Sequence, residues 1–468
     1  MPAGDSPDVL VARFLRANNY HETFQAFIRE TNLTADSITN HPSDLTIEKI
    51  LEEKKLYDLA VRFEKINVDA KDVDFVVPYP TIPTTLTTLS TSFNILSVTL
   101  ASLIIPTEGS TTPPSPQQVI ISTSSDKSLR IYSAKPPYTL LTTISNLHAG
   151  PILCVAAVSQ RWLVTASMVG AITISDLKGD IVDQWTGHTK YIVKIAVSEP
   201  IESSEDKEEI RYLAAASYDK SLSIHKLRLP KPTASTLNTD AFSPKLEFLQ
   251  TIKFEQTVED VIFTKDYRAD NPTQEPSSTP LLITTIRDSP YLHIWSIPSD
   301  TSSTTSSSST SSPQFTFTSK NPLNATSTSW LTYTPTSLTP HPHHPHLIAM
   351  VTSSIPSPKV IIYNLSTYTV DKEFTVPVEL SAYSTGIVAW RGDTSASGLW
   401  INGDDGVVKG VEIKSGKVKA ELKGHNGRKV RCLAAGTVVE EDEEEELMIS
   451  GGFDGGLNVW RIGTDTSI

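Results

Sequence analysis

Residues 424–436 read GHNGRKVRCLAAG, and residues 447–462 read LMISGGFDGGLNVWRI. Two apolar runs, Leu447-Met448-Ile449 and Leu457-Asn458-Val459-Trp460, flank the polar turn Phe453-Asp454-Gly455-Gly456. Asp-Gly between such runs signals a hairpin, because glycine accepts the positive φ that a tight turn between twisted strands requires. Aliphatic and aromatic side chains of this kind fit a pleated, partly buried surface. The unit recurs upstream as SDKSLRIYS (125–133), HAGPILCVAAV with WLVTASMVGAITISDL (148–177), and GHTKYIVKIAV with YLAAASYDKSLSIHKL (187–227). Further copies are LLITTIRDSPYLHIWSI (281–297), LIAMVTSSIPSPKVIIYNL (347–365) and INGDDGVVKGVEI (401–413). Turn-to-turn spacings are 43–50 residues, with two near 69 where inserts intervene.

A repeat of this length with paired strands and a closing aromatic resembles the WD repeat, whose unit of roughly 40–45 residues builds one four-stranded propeller blade. The resemblance covers residues 75–463 and implies a mainly β chain, a seven-bladed WD-repeat β-propeller. Copies four to six are the weaker ones, which leaves six or eight blades open. By the same resemblance His425, Ser450, Asp454 and Trp460 form a buried structural tetrad, since buried polar groups need hydrogen-bond partners. Three copies depart from it. Val169 stands at the Asp position of the second, although His148 and Thr165 remain. Ala215 and His225 replace the Ser/Thr and Trp of the third, which keeps His188 and Asp219. The fifth, ending its last strand at Tyr363, lacks the turn Asp. The last strand ends near Arg461, so closure predicts an outer strand borrowed from residues 75–100, which removes an exposed edge.

Residues 1–70 read as helical. Ser6-Pro7 is a good N-cap followed by a good first helical residue. Leu10, Val11, Phe14 and Leu15 fall on one face. Asn18-Asn19 breaks the helix, and Asn19 with Glu22 has capping-box spacing. Tyr20, Phe24, Phe27 and Ile28 make the apolar side of a second helix. The run LVARFLRANNYHETFQAFIRE (10–30) resembles a LisH motif through Leu10, Phe14, Leu15, Tyr20, Thr23, Ala26, Phe27 and Glu30. The resemblance implies a small α-helical dimerisation region at 6–39, with Leu10, Phe14, Leu15, Tyr20, Phe24 and Phe27 as contacts. A third amphipathic helix is expected at 44–70, where Leu56, Leu59, Ala60 and Phe63 share a face. It weakly resembles the CTLH helices that often follow LisH.

Composition bounds the function. The 468 residues include two cysteines, Cys154 and Cys432, which excludes a disulfide scaffold or a cysteine-rich zinc module and fits the cytoplasm or nucleus. No apolar run reaches the ~18 residues of a membrane helix, and Arg13 and Arg16 interrupt the only apolar stretch near the start, against a secretory signal. Residues 440–446 carry −7 and residues 199–209 carry −5, against −13 for the whole chain. Such acidic runs read as solvated loops, and no basic stripe suggests nucleic acid. Disordered inserts are expected near 107–118, 200–209, 230–245, 268–280, 298–314 and 439–446. Residues 299–312 are Ser or Thr at 13 of 14 positions and cannot build a core. The proline-spaced His341, His343, His344 and His346 suit a metal in residue type. They lie in a loop without nearby Cys or clustered carboxylates, so no metal and no cofactor is expected. There is no phosphate loop, protease helix or kinase signature.

A dimerisation motif with a propeller and no catalytic constellation describes a non-catalytic scaffold or adaptor. By resemblance, such architectures serve ubiquitin ligases of the CTLH type or chromatin corepressor complexes. Dynein regulators are the alternative, although they usually carry a coiled coil longer than the heptads found here. An enzyme is the remaining class. The resemblance puts the Asp turn and the Gly-His loop on one face of the propeller. Tyr191, Tyr218, Arg287, Arg428 and Phe453 are therefore expected on a partner-binding top face, since aromatics and arginine dominate hot spots. Asp404 and Asp405 share that face, which points to a basic peptide or helix. Asp405 is expected to stand in for Asp404 if the latter is lost.

Overall fold

In a computed structural model, the described residues are 7–33, 47, 75–86, 93–105, 115–201, 208–231, 243–267, 277–297, 314–323, 333–353, 358–381, 384–393, 395–440 and 443–463. The chain divides into two compact units, Met1–Ala70 and Lys71–Ile468.

The first unit contains helices α1 (Pro7–Ala17) and α2 (His21–Thr31), which pack on each other. Asn19 does not cap α2 in the expected way. It adopts φ 59° and closes α1, with Asn19 N–H donating to Arg16 O at 3.2 Å and Tyr20 N–H to Leu15 O at 3.0 Å. This is a Schellman end with asparagine in the left-handed position glycine usually takes. Tyr20 becomes the N-cap residue of α2, without a side-chain cap. Val9, Ala12 and Arg13 are the buried residues of α1, while Leu10, Phe14, Leu15, Phe24 and Phe27 are only half-buried and Tyr20 is 53% exposed. Ser6 and, apart from Ile47, the expected third helix lie outside the described residues.

The second unit is a seven-bladed β-propeller of four-stranded antiparallel sheets. β1 (Ile82–Thr85) belongs to the last blade. Blade 1 is β2 (Ile95–Leu103), β3 (Gln117–Ser124), β4 (Leu129–Ser133) and β5 (Leu140–Ile144). Blade 2 is β6 (Ile152–Val158), β7 (Trp162–Ser167), β8 (Ala171–Ser175) and β9 (Ile181–Thr186). Blade 3 is β10 (Ile192–Val197), β11 (Glu208–Ser217), β12 (Ser221–Pro230) and β13 (Lys245–Lys253). Blade 4 is β14 (Val258–Asp266), β15 (Ser277–Ile286), β16 (Tyr291–Ser296) and β17 (Thr316–Pro322). Blade 5 is β18 (Pro335–Pro340), β19 (Leu347–Thr352), β20 (Lys359–Asn364) and β21 (Thr369–Thr375). Blade 6 is β22 (Val388–Trp390), β23 (Gly398–Ile401), β24 (Val407–Glu412) and β25 (Val418–Lys423). Blade 7 is β26 (Val430–Glu440), β27 (Glu443–Gly452) and β28 (Leu457–Arg461), completed by β1 through pairs such as Thr84 with Val459. Closure thus narrows to four residues of the expected range.

Seven apolar clusters fill the seven gaps between blades, so both faces of the middle strands are buried. Alternation decides which gap each side chain enters. On β3, Ile120 points into the gap with blade 7, and Val119 and Ile121 into the gap with blade 2. On β27, Met448 faces blade 6, and Leu447 and Ile449 face blade 1.

Two expected inserts prove to be ordered ladder at their ends. β26 and β27 pair to Glu440 with Glu443, and β11 begins at Glu208. The acidic runs are not wholly solvated either. Glu446 is buried against Arg391, and Glu209 accepts hydrogen bonds from Arg211 Nε at 2.5 Å and Ser159 Oγ at 2.8 Å. A basic partner makes burial of these acids tolerable, Arg211 two residues from Glu209 and the fully buried Arg391 far from Glu446 in sequence.

Candidate functional site

Inside the last repeat the polar set joins as one network. His425 Nδ1 lies 3.0 Å from Asp454 Oδ1, and Nε2 lies 2.8 Å from Ser450 Oγ. Trp460 Nε1–H donates to Ser450 Oγ at 2.9 Å. These partners assign the imidazole proton to Nδ1, so that Nε2 accepts from the serine hydroxyl. His425 and Ser450 are fully buried. A hydrolase-like reading of the three groups fails on access, because no substrate carbonyl can reach a hydroxyl sealed under Trp460.

Blades 1 to 3 reach similar networks by different residues. Ala215 of β11 pairs across the ladder with Ser223 of β12, and Ser223 supplies the missing hydroxyl, 2.9 Å from His188 Nε2 and 3.0 Å from His225 Nε2. Asp219 completes it, 3.0 Å from His188 Nδ1. In blade 2, His148 bonds Thr165 Oγ1 at 2.8 Å, and burial pushes its pKa down to about 4. Blade 1 uses an arginine. Arg130 bonds Asp126 at 2.6 Å and Ser124 at 2.7 Å. Burial alone would raise the Asp126 pKa, but hydrogen bonds from Arg130, Ser124 and Ser128 outweigh it and hold the carboxyl well below the usual range. Blade 4 has no such set. Its turn is one residue longer, Asp288 takes φ 55°, and Trp295 Nε1 is buried without a partner among the described residues.

Asp404 and Asp405 do different jobs. Asp405 is the turn residue before Gly406 (φ 81°), equivalent to Asp454 before Gly455 (φ 76°), and accepts from Val407 N–H at 3.1 Å. Asp404 occupies the place of Phe453 and is held by Lys429 Nζ at 2.8 Å and Ser384 Oγ at 2.6 Å. Asp405 therefore does not substitute for Asp404. Asp454→Ala is expected to cost about 1–3 kcal/mol, because it strips a partner from a buried histidine. Asp405→Ala, with no histidine to satisfy, is expected to cost less than half of that. Urea unfolding of the two variants measures the difference, and equal losses would contradict it.

Tyr191, Tyr218, Arg287 and Phe453 meet at one mouth of the propeller channel, around a cavity of about 820 Å³. Tyr191 and Tyr218 stack with centroids 4.7 Å apart, the Arg287 guanidinium lies 5.4 Å from the Tyr218 ring, and Phe453 is 40% exposed. Arg428 is exposed but does not line the cavity. Of the acids lining this mouth, Asp288 is exposed and two are already paired. Asp404 is committed to Lys429, and Glu259 to Arg287 Nε at 2.6 Å.

A second, smaller cavity of about 250 Å³ adjoins that of the mouth and shares Glu259, Thr336 and Arg431 with it. Six of the seven inner strands carry a register shift near their start, between Ile95 and Ser97, Ile152 and Cys154, Ile192 and Lys194, Val258 and Asp260, Pro335 and Ser337, and Val430 and Cys432. A β-bulge re-aims the extra side chain. The residues so placed, Leu96, Leu153, Val193, Glu259, Thr336 and Arg431, all line the channel. Sequence reading missed them, since a bulge breaks the alternation on which that reading depends. Histidines 341–346 form no metal cluster among the described residues. His341 Nδ1 is already used, accepting N–H groups of His343 and His344 at 3.1 and 3.0 Å, and its ring packs on Trp390.

Residues 7–34 match the family model described as UCP007778, LisH domain, and residues 416–461 match the WD domain, G-beta repeat. The chain therefore carries an N-terminal LisH domain and a WD40 repeat within its seven-bladed propeller. Among solved structures, Sqt1 of Saccharomyces cerevisiae aligns over 80% of this chain and 97% of its own, at 12% identity and a TM-score of 0.49. A comparison with curated protein sequences finds no match.

Proposed function

We propose that this chain is a non-catalytic interaction scaffold that pairs with a second copy through its LisH helices and holds a segment of a partner protein at the channel mouth. WD40 propellers are typically non-catalytic. Among the described residues no helix is long and apolar enough to cross a membrane. The observation that carries the reading is the convergence of Tyr191, Tyr218, Arg287 and Phe453, from three separate blades, on one cavity of about 820 Å³. Buried rings and guanidiniums contribute most where water is excluded, and here they surround a concave surface. A ubiquitin ligase or chromatin corepressor assembly is the setting the domain combination suggests.

The test is a double substitution, Tyr218→Ala with Phe453→Ala, in the full chain. It should abolish recovery of specific partners while shifting the melting temperature little, since both side chains sit at the surface of their turns. Partners retained by the folded variant would move the site elsewhere.

The dimer has its own measurement. The apolar side chains of α1 and α2 that the resemblance marks as contacts remain half-buried or exposed within the unit. Removing the first 40 residues should halve the mass in light scattering and leave the propeller's circular dichroism unchanged. An unchanged mass would refute dimerisation through this unit.

A further inference from the structure

We infer that the mouth receives an internal peptide segment bearing a side-chain carboxylate, which Arg431 binds where the two cavities adjoin. This rests on the reading of the mouth as a docking surface and adds the chemistry of its ligand.

The bulge positions form the throat. Four of the six, Leu96, Leu153, Val193 and Thr336, are uncharged, and the charged ones are Glu259 and Arg431. Glu259 is neutralised by Arg287. Of the other cations nearby, exposed Lys190 lies 5.4 Å from the Tyr218 ring centre, and two more are committed to acids. Lys429 holds Asp404 with Ser381 and Ser384, and Lys194 Nζ lies 3.7 Å from the buried Asp260 carboxylate. Asp288 is the acid exposed at the rim, where it accepts a long hydrogen bond from Thr334. Arg431 makes no side-chain hydrogen bond or ion pair among the described residues, is half-buried, and borders both cavities.

A guanidinium drawn partly out of water with nothing to bond is the complement of a carboxylate, which it can grip with two parallel N–H donors. The aromatic side chains decide between sources of that carboxylate. Tyr191 and Tyr218 stand on blade 3 and Phe453 on blade 7, so a segment crossing the mouth would rest apolar residues on both and point the acid between them downward. A chain terminus entering end-on would not need both sides.

The probe is a phage-displayed library of random dodecapeptides, fused through their C-termini, selected on the full-length protein. Recovered sequences should be enriched in Asp or Glu flanked by apolar residues, and should bind as synthetic peptides amidated at the C-terminus. Arg431→Gln should weaken them on the order of tenfold or more, as for a lost hydrogen bond to a charged group. Arg431→Lys should restore part of the affinity, and Arg431→Glu should redirect selection toward Lys and Arg. Melting curves confirm that each variant is folded. Peptides that need Tyr218 and Phe453 but show no acidic enrichment and bind Arg431→Gln equally would overturn the inference and leave the docking reading intact. Peptides that bind the Tyr218→Ala, Phe453→Ala protein undiminished would overturn both. A requirement for a free C-terminal carboxylate, or no enrichment of any peptide, would also overturn the inference.

Discussion

Arg391→Ala is expected to destabilise the propeller by about 3–5 kcal/mol, the cost of leaving a buried charge without its partner. Arg391 is 0% exposed. Its Nη2 and Nε donate to the two oxygens of Glu446 at 2.6 and 3.1 Å, tying blade 6 to blade 7. Nη1 donates to Val76 O at 2.7 Å and Ser397 Oγ at 3.0 Å, and the guanidinium lies 4.4 Å from the Phe75 ring. The residue thus also holds the segment that leads into β1, which closes the ring. Glu446→Ala should cost somewhat less, because the arginine keeps a longer contact with Asp393 Oδ1 at 3.5 Å. Arg391→Met with Glu446→Leu should cost far less than the two single losses together, since the double change removes both charges and their need for each other. Urea unfolding gives the three values. Limited proteolysis should cut near residues 75–80 in the Arg391→Ala protein before the rest is attacked. A loss below about 1 kcal/mol would mean that water already reaches the pair.

Acidification from pH 6.5 toward 4 is expected to remove several kcal/mol. Burial depresses His148, His293 and His341 to about 4 and His225 to about 3, against the ordinary 6.5. A histidine whose folded pKa is depressed contributes stability that is fully present above its unfolded value and lost as pH falls through the window to its folded value. At 1.36 kcal/mol per unit the loss is on the order of 3 kcal/mol for each. Glu259 and Asp260 work in the opposite sense. Burial raises their pKa, so protonation favours the folded state and offsets part of the loss. Asp126, Asp219 and Asp393, held low by hydrogen bonds that outweigh burial, keep their contribution until the pH drops below about 4, the ordinary carboxylate range. Urea midpoints at pH 7.5, 6 and 4.5 should fall mostly between the last two, and replacing His148 and His225 by asparagine should reduce the fall. A pH-independent midpoint across this range would show that these imidazoles are not held neutral.

Much of the site's scaffolding is visible in the chain, because hairpin chemistry is local. Asp454-Gly455, Asp405-Gly406 and the alternating runs beside them specify turns and strands within a few residues, whatever surrounds them. The same locality makes α1 and α2 readable, as their apolar faces and the Asn18-Asn19 break lie within single helical turns. Tyr191, Tyr218, Arg287 and Phe453 are assigned to one face by the WD-repeat resemblance, from their offsets to a turn or loop residue.

What the sequence by itself determined is the repeat, its strand–turn–strand unit, the helical pair and the face on which the turn residues stand. Only the tertiary structure decided which polar group meets which. Ser223 replaces the hydroxyl absent at Ala215 because the two are opposite in the ladder, and Arg130 takes the histidine's role because Asp126 and Ser124 stand within its reach. Arg391 and Glu446 lie 55 residues apart, and nothing near either one names the other. The bulges that turn Glu259 and Arg431 into the channel recur near the start of six inner strands, and a bulge breaks the alternation by which a single strand is read from its sequence.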